Sequence, residues 1–197
     1  MNADKPATPA DTAATPSAQA TAPAGGPGFA DPAGTWNRRY ETEEFLWLAG
    51  RGLLVDDFDI AEVAVAKSHR LAAERGVDVN FTVADCDHYA WPAAAYDGVA
   101  AIFVQFADPA LRDRLFARMA ASLKPGGTLV LQGYTPRQLA YGTGGPPIAS
   151  HLYTEPMLRE AFAGMEILTL REYEAEVAEG SGHRGHSALI GLVARRR

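Results

Sequence analysis

Two aspartates carry the first chemical suggestion in this sequence. LLVDDFD ends at Asp59 and VNFTVAD ends at Asp85, each an apolar-rich run closed by an acid. Between them IAEVAVAKSHRLAAER repeats apolar residues at helical spacing, so a strand, a helix and a parallel strand follow in order. Asp59 and Asp85 then stand at the carboxyl ends of neighbouring strands, the edge where open α/β sheets bind ligands. Two carboxylates there accept hydrogen bonds from hydroxyl and amino groups. A structural role competes at Asp59, which can cap the following helix with Glu62 completing a capping box. Asp57 is the alternative acid, sent to the same face by strand alternation.

Proton-transfer groups cluster in one other place. Glu179, His183 and His186 fall in AEGSGHRGH, a glycine-rich turn between MEILTLREYEAEV and SALIGLVARRR. His-x-x-His is half of a metal site, but no further ligands accompany it and no metal is assigned. Arg137 lies in YTPRQLAYGTGGPP, a Gly- and Pro-rich segment at the ligand edge that reads as a substrate lid or wall. It would contact an anionic acceptor or stand as an ordinary surface arginine. Gln105 and Phe106 close DGVAAIFVQF, an apolar run typical of a strand covered on both faces. Cys86, the single cysteine, has no catalytic partner and reads as a small filler. No Ser-His-Asp order, phosphate loop or zinc signature is present; GGPG at residues 25–28 follows no strand.

The elements that must position these residues form one α/β domain. At 197 residues and 47% hydrophobic content the chain is long enough for a substantial core. Residues 1–34, dominated by Ala, Pro, Thr and Gly, are expected to be a disordered tail ahead of a domain over 35–197. A helix is expected from about Asn37 to Leu48, stopped by Gly50 or Gly52. Asp108 and Pro109 open ALRDRLFARMAASL, LKPGG turns into the strand TLVLQGY, and Thr154 caps EPMLREAFAG as far as Gly164. A terminal antiparallel hairpin follows. A net charge of −6 offers nucleic acid or an anionic membrane no attraction, and no apolar run is long enough to span a bilayer. A lone cysteine suits a reducing, cytoplasmic setting.

Asp59, Asp85, YDGVAAIFVQF and LKPGGTLVLQGYTPRQ together resemble the class I S-adenosylmethionine-dependent methyltransferases, in particular the small bacterial tellurite-resistance type. The W-x-x-R-Y of Trp36, Arg39 and Tyr40 is similar to the segment that precedes the core in that subgroup. The resemblance implies a Rossmann-like, mostly parallel sheet with a C-terminal antiparallel hairpin, and S-adenosylmethionine as cofactor. It implies that Asp59 accepts from the ribose hydroxyls, that Asp85 accepts from the adenine amino group, and that the Cys86 amide donates to the ring. Gln105 and Phe106 would lie near the transferable methyl group and Tyr40 over the cofactor. The partner would be a small-molecule or oxyanion methyl acceptor, with His183, His186 and Arg137 as candidates beside it. The family's first strand and its G-x-G loop have no counterpart here, because EEFLWLAGRG runs straight into LLVDDFD. A second reading is therefore a non-catalytic remnant that binds a partner. If the strand is missing, LLVDDFD is expected to close the gap and pair with DGVAAIFVQF, giving the order VNFTVAD, LLVDDFD, DGVAAIFVQF, TLVLQGY, SALIGLVAR, MEILTLREY.

Overall fold

The computed structural model describes residues 48–179 and 183–197, with backbone alone at Glu179 and His183. The expected tail, most of the expected first helix, and Trp36, Arg39 and Tyr40 lie outside the described residues. Gly52 ends a short 3-10 turn over Ala49–Arg51 in the left-handed conformation, at φ 81°. The chain then enters β1 (Asp56–Asp59), α1 (Glu62–Arg75) and β2 (Asn80–Val83). β1 and β2 are parallel, in register from Asp56 opposite Asn80 to Asp59 opposite Val83. Gly76 stops α1 at φ 63°, its N–H reaching the Ala72 and Ala73 carbonyls, a conformation that costs any residue with a Cβ.

A second sheet holds β3 (Tyr96–Ile102), β4 (Leu123–Tyr134), β5 (Glu166–Glu179) and β6 (His183–Arg195) in the order β3-β4-β6-β5. β3 and β4 are parallel, and β6 runs antiparallel to both β4 and β5. Asp108 caps α2 (Pro109–Ser122) by accepting from the Leu111 N–H at 2.8 Å, with Pro109 in the first turn. Thr154 caps α4 (Glu155–Ala161), which stops before Gly164. Leu115, Phe116 and Met119 of α2 and Leu158 of α4 pack on the inward residues Leu129, Leu131, Ile190 and Leu192. Period-2 alternation along β4 and β6 delivers these side chains to one face, each worth about 1.5 to 3 kcal/mol when fully buried. Gly133 sits where the Tyr153 ring crosses the sheet, and a Cβ there would come within 2.7 Å of it.

Three expectations require correction. LLVDDFD does not pair with DGVAAIFVQF: β1 and β3 belong to separate sheets. Side chains bridge the two instead. The Tyr96 hydroxyl donates to Asp56 Oδ2 at 2.9 Å, and Phe58 stacks on Tyr89 with ring centroids 4.2 Å apart while Trp91 meets it edge-on. Phe58 also packs against the main core, so closing to the ladder spacing of about 4.8 Å would expel these rings. Second, LKPGG is part of β4, where Tyr96 opposes Leu123 but Gly98 opposes Thr128. Lys124–Gly127 therefore bulge out, held by reciprocal backbone bonds between Gly126 and Gly127 and Arg196. Third, the terminal hairpin is longer than the sequence suggests, so His183 and His186 stand on β6 rather than on a glycine-rich loop.

Candidate active site at the carboxyl edge of the strands

The β1-α1-β2 unit brings Asp59 and Asp85 to adjacent strand ends. Their link is direct, since the Ala84 N–H donates to the Asp59 carbonyl at 3.0 Å and Asp85 follows. Asp59 does not cap α1. The N-cap is Ala61, without a side-chain bond, and Asp59 Oδ1 instead accepts from the Ala61 N–H at 2.7 Å, fixing the sharp exit from β1. No glycine lies between Asp59 and α1. Burial raises the Asp57 pKa to about 6, opposed by the Phe58 amide and reinforced by the Asp59 charge.

Asp85 is held by the segment that follows it. Its Oδ1 accepts from the Asp87 N–H at 2.8 Å and the His88 N–H at 3.1 Å, and its Oδ2 meets His88 Nδ1 at 2.5 Å. Desolvation works against its charge, but the His88 ring and these amides outweigh it and hold the carboxyl below the usual range. The Cys86 carbonyl accepts from Trp91 Nε1 and Arg118 Nη1, both at 2.9 Å. Arg114 and Arg118 clamp Asp87, whose pKa falls to about 2 through the Arg114 bond first. The Cys86 thiol is pushed up by burial and by the neighbouring acids, which suits a filler rather than a nucleophile. His88 is the residue missed in the sequence; an acid followed three positions later by histidine, outside any helix, was its available signal.

Gln105 and Phe106 are not the end of β3, which stops at Ile102. Phe103 takes a positive φ of 53° and lays its ring on Tyr134 at 4.7 Å, breaking the strand. A bulky residue in that conformation is strained, and the strain falls just past the carboxyl end of β3. Gln105 is 1% exposed, with its amide clasping both backbone groups of Tyr134 and reaching the His151 carbonyl. Phe106 is half-buried against the main core.

The loop after β4 is fastened to the hairpin. Gln138, in α3 (Gln138–Tyr141), accepts from the Ala188 N–H at 2.8 Å and donates to Thr143, whose hydroxyl donates to the His186 carbonyl. Arg137 pairs with Glu174 at 2.5 Å, the Tyr141 hydroxyl donates to the same carboxylate, and His186 lies between Glu174 at 3.1 Å and Glu176 at 3.3 Å. The Tyr141 bond and then His186 lower the Glu174 pKa. Glu174 is one residue beyond the register pair of Tyr134 and Leu189, so the cluster stands at the carboxyl end of β4. Two of the sequence candidates, Arg137 and His186, thus meet through Glu174, while of His183 only the backbone is described. Among the described residues no group of three metal-ligating side chains occurs, and no helix is long and apolar enough to cross a membrane.

Residues 43–127 match the family model described as a methyltransferase domain. Among curated proteins none matches this chain in sequence. Solved structures similar to it include TehB from Haemophilus influenzae, with TM-score 0.63 and 17% identity over 77% of this chain. This chain covers 53% of TehB, about half its length. A SAM-dependent methyltransferase from Methanosarcina mazei gives 0.63 and 19%, covering 77% of this chain and 86% of that one. The N-methyltransferase NodS from Bradyrhizobium japonicum WM9, in complex with S-adenosyl-L-homocysteine, gives 0.55 and 13%, covering 73% of this chain and 66% of NodS. Residues 43–127 are thus similar to a methyltransferase domain, and the chain has the α/β fold seen in solved S-adenosylmethionine-dependent methyltransferases.

Proposed function

We propose that this chain is an S-adenosylmethionine-dependent methyltransferase of the small bacterial tellurite-resistance type, cytoplasmic and acting on a small-molecule acceptor. The observation that carries the reading is the placement of Asp59 and Asp85 on consecutive parallel strand ends, joined by the bond from the Ala84 N–H to the Asp59 carbonyl. The donor set fits a nucleoside. Ribose offers two hydroxyl donors and adenine an amino donor beside a ring acceptor, matching the Asp59 carboxylate, the Asp85 carboxylate and the Cys86 N–H in turn. When bound, S-adenosylmethionine supplies an electrophilic methyl carbon. The chain has to hold the nucleoside and align the acceptor in line, a task of orientation that requires no covalent nucleophile. Phe106 stands on the methyl side in this reading, and Gln105 serves it indirectly by fixing the backbone of Tyr134 and His151.

His183, His186 and Arg137 belong to the acceptor end. The cluster there sets one guanidinium against the two carboxylates Glu174 and Glu176, which favours a neutral small molecule over an oxyanion. Among the described residues no strand joins β1 to β3, which supports a sheet that lacks one member of the family's usual set. Calorimetric titration with S-adenosylmethionine and S-adenosylhomocysteine tests the proposal. Asp59→Ala and Asp85→Ala are each expected to weaken binding by about 1 to 3 kcal/mol, the cost of losing hydrogen bonds to a charged acceptor. Unchanged affinity in both variants removes the two acids from the site.

A further inference from the structure

We infer that His88 is a latch on Asp85 that competes with the incoming nucleobase and so tunes nucleotide affinity. The inference rests on the reading that a nucleoside docks at Asp85. A carboxylate offers about four lone-pair positions. In this chain Oδ1 spends two on the Asp87 and His88 amides, and those bonds alone fix the orientation of the group. The ring of His88 makes a separate contact. What it does is occupy Oδ2, the remaining oxygen, at 2.5 Å. One acceptor position is left for an adenine amino group, on an oxygen whose charge the imidazole already shares. The His88 side chain is 84% exposed, and among the described residues this contact with Asp85 is the one polar bond of its ring.

Protonation of the imidazole strengthens the latch, because an imidazolium donates to the carboxylate as one ion to another. Acid conditions should then weaken adenine binding through His88. The surrounding charges do not reproduce this effect. Asp87 stays ionised to about pH 2 between Arg114 and Arg118, the Cys86 thiol is raised by burial, and Asp85 itself remains a carboxylate. Asp57 on β1, raised to about 6 by burial, changes charge between the two pH values in wild type and variant alike, so each pH has to be compared between the two proteins rather than along one curve.

Calorimetric titration of wild type and His88→Ala with S-adenosylhomocysteine at pH 5.5 and pH 8 is the test, repeated with the inosine analogue that carries a carbonyl oxygen in place of the amino group. At pH 5.5 the variant should bind S-adenosylhomocysteine about two- to fivefold more tightly than wild type, the range for an exposed ion pair. At pH 8 the difference should shrink, and the inosine analogue should show no such gain at either pH. A variant that binds more weakly than wild type, or an equal gain for both ligands, overturns the latch while leaving the nucleotide site standing. Absence of binding by either protein at both pH values removes the latch and the nucleotide reading together.

Discussion

Replacing Asp57 by Asn should stabilise the protein at neutral pH, against the ordinary expectation that a substitution within a strand costs stability. The carboxyl of Asp57 is half-buried on β1 and titrates near pH 6 in the fold, up from 3.8, chiefly because burial disfavours its charge and secondarily because Asp59 lies on the same face. Between those two values the folded chain binds more protons at this site than the unfolded chain, so folding stability falls as pH rises from about 4 to about 6 and then levels. A shift of just over two units at about 1.36 kcal/mol per unit sets a ceiling of about 3 kcal/mol. Water reaching a half-buried group reduces this to about 1 to 2 kcal/mol. Asn removes the charge and keeps the shape. Urea denaturation of both proteins at pH 4, 5, 6 and 7.5 should show little difference at pH 4 and the full gain by pH 7.5. A gain that does not change with pH, or none at pH 7.5, would show that Asp57 is solvated as well in the fold as out of it.

Gln105→Leu should cost about 2 to 4 kcal/mol in denaturant unfolding, because it strands the backbone N–H and C=O of Tyr134 beside the His151 carbonyl in a buried place. Gln105→Glu should be nearly as damaging, since it loses the donor and buries a charge. Glu174→Gln weakens the hold that Arg137, Tyr141 and His186 share. Hydrogen exchange over residues 135–147 should quicken in that variant while α2 and β4 exchange as before, and unaltered exchange in the loop would mean that Gln138 and Thr143 fasten it alone.

Wherever a local rule and a packing rule agreed, the sequence was a sound guide. Asp108 followed by Pro109, Thr154 before Glu155, and Gly76 after Arg75 declare helix ends through short-range hydrogen bonding and backbone freedom, and all three serve as caps in the fold. Periodicity located β4, β5 and β6 because each alternates between a core face and an outer face. Asp59 misled because two short-range bonds were open to it: its oxygen can reach an N–H two residues on or three, and the nearer Ala61 N–H won. β3 was drawn too long because FVQF is as apolar as the strand it follows, and composition says nothing of the left-handed turn at Phe103. Gln105 could not be told from a ligand-facing residue, because its partners Tyr134 and His151 are 29 and 46 positions away.

The junction between the two sheets shows what decides such cases. Among the described residues no ladder joins β1 to β3, although one would give a net gain of about 1 kcal/mol for each bond. Closure would also evict Phe58 from its stack with Tyr89 and its edge contact with Trp91, and would leave the Tyr96 hydroxyl without Asp56. Aromatic pairs contribute about 0.5 to 1.5 kcal/mol beyond the area they bury, and Phe58 buries part of its ring against the main core as well. These side-chain terms rival a short ladder of four residues, the full length of β1. The same rings explain why the acids stay usable. Phe58 sits between Asp57 and Asp59 in sequence, and anchoring it inward fixes the turn of β1 that carries Asp59 to the strand end, beside Asp85 and away from the core.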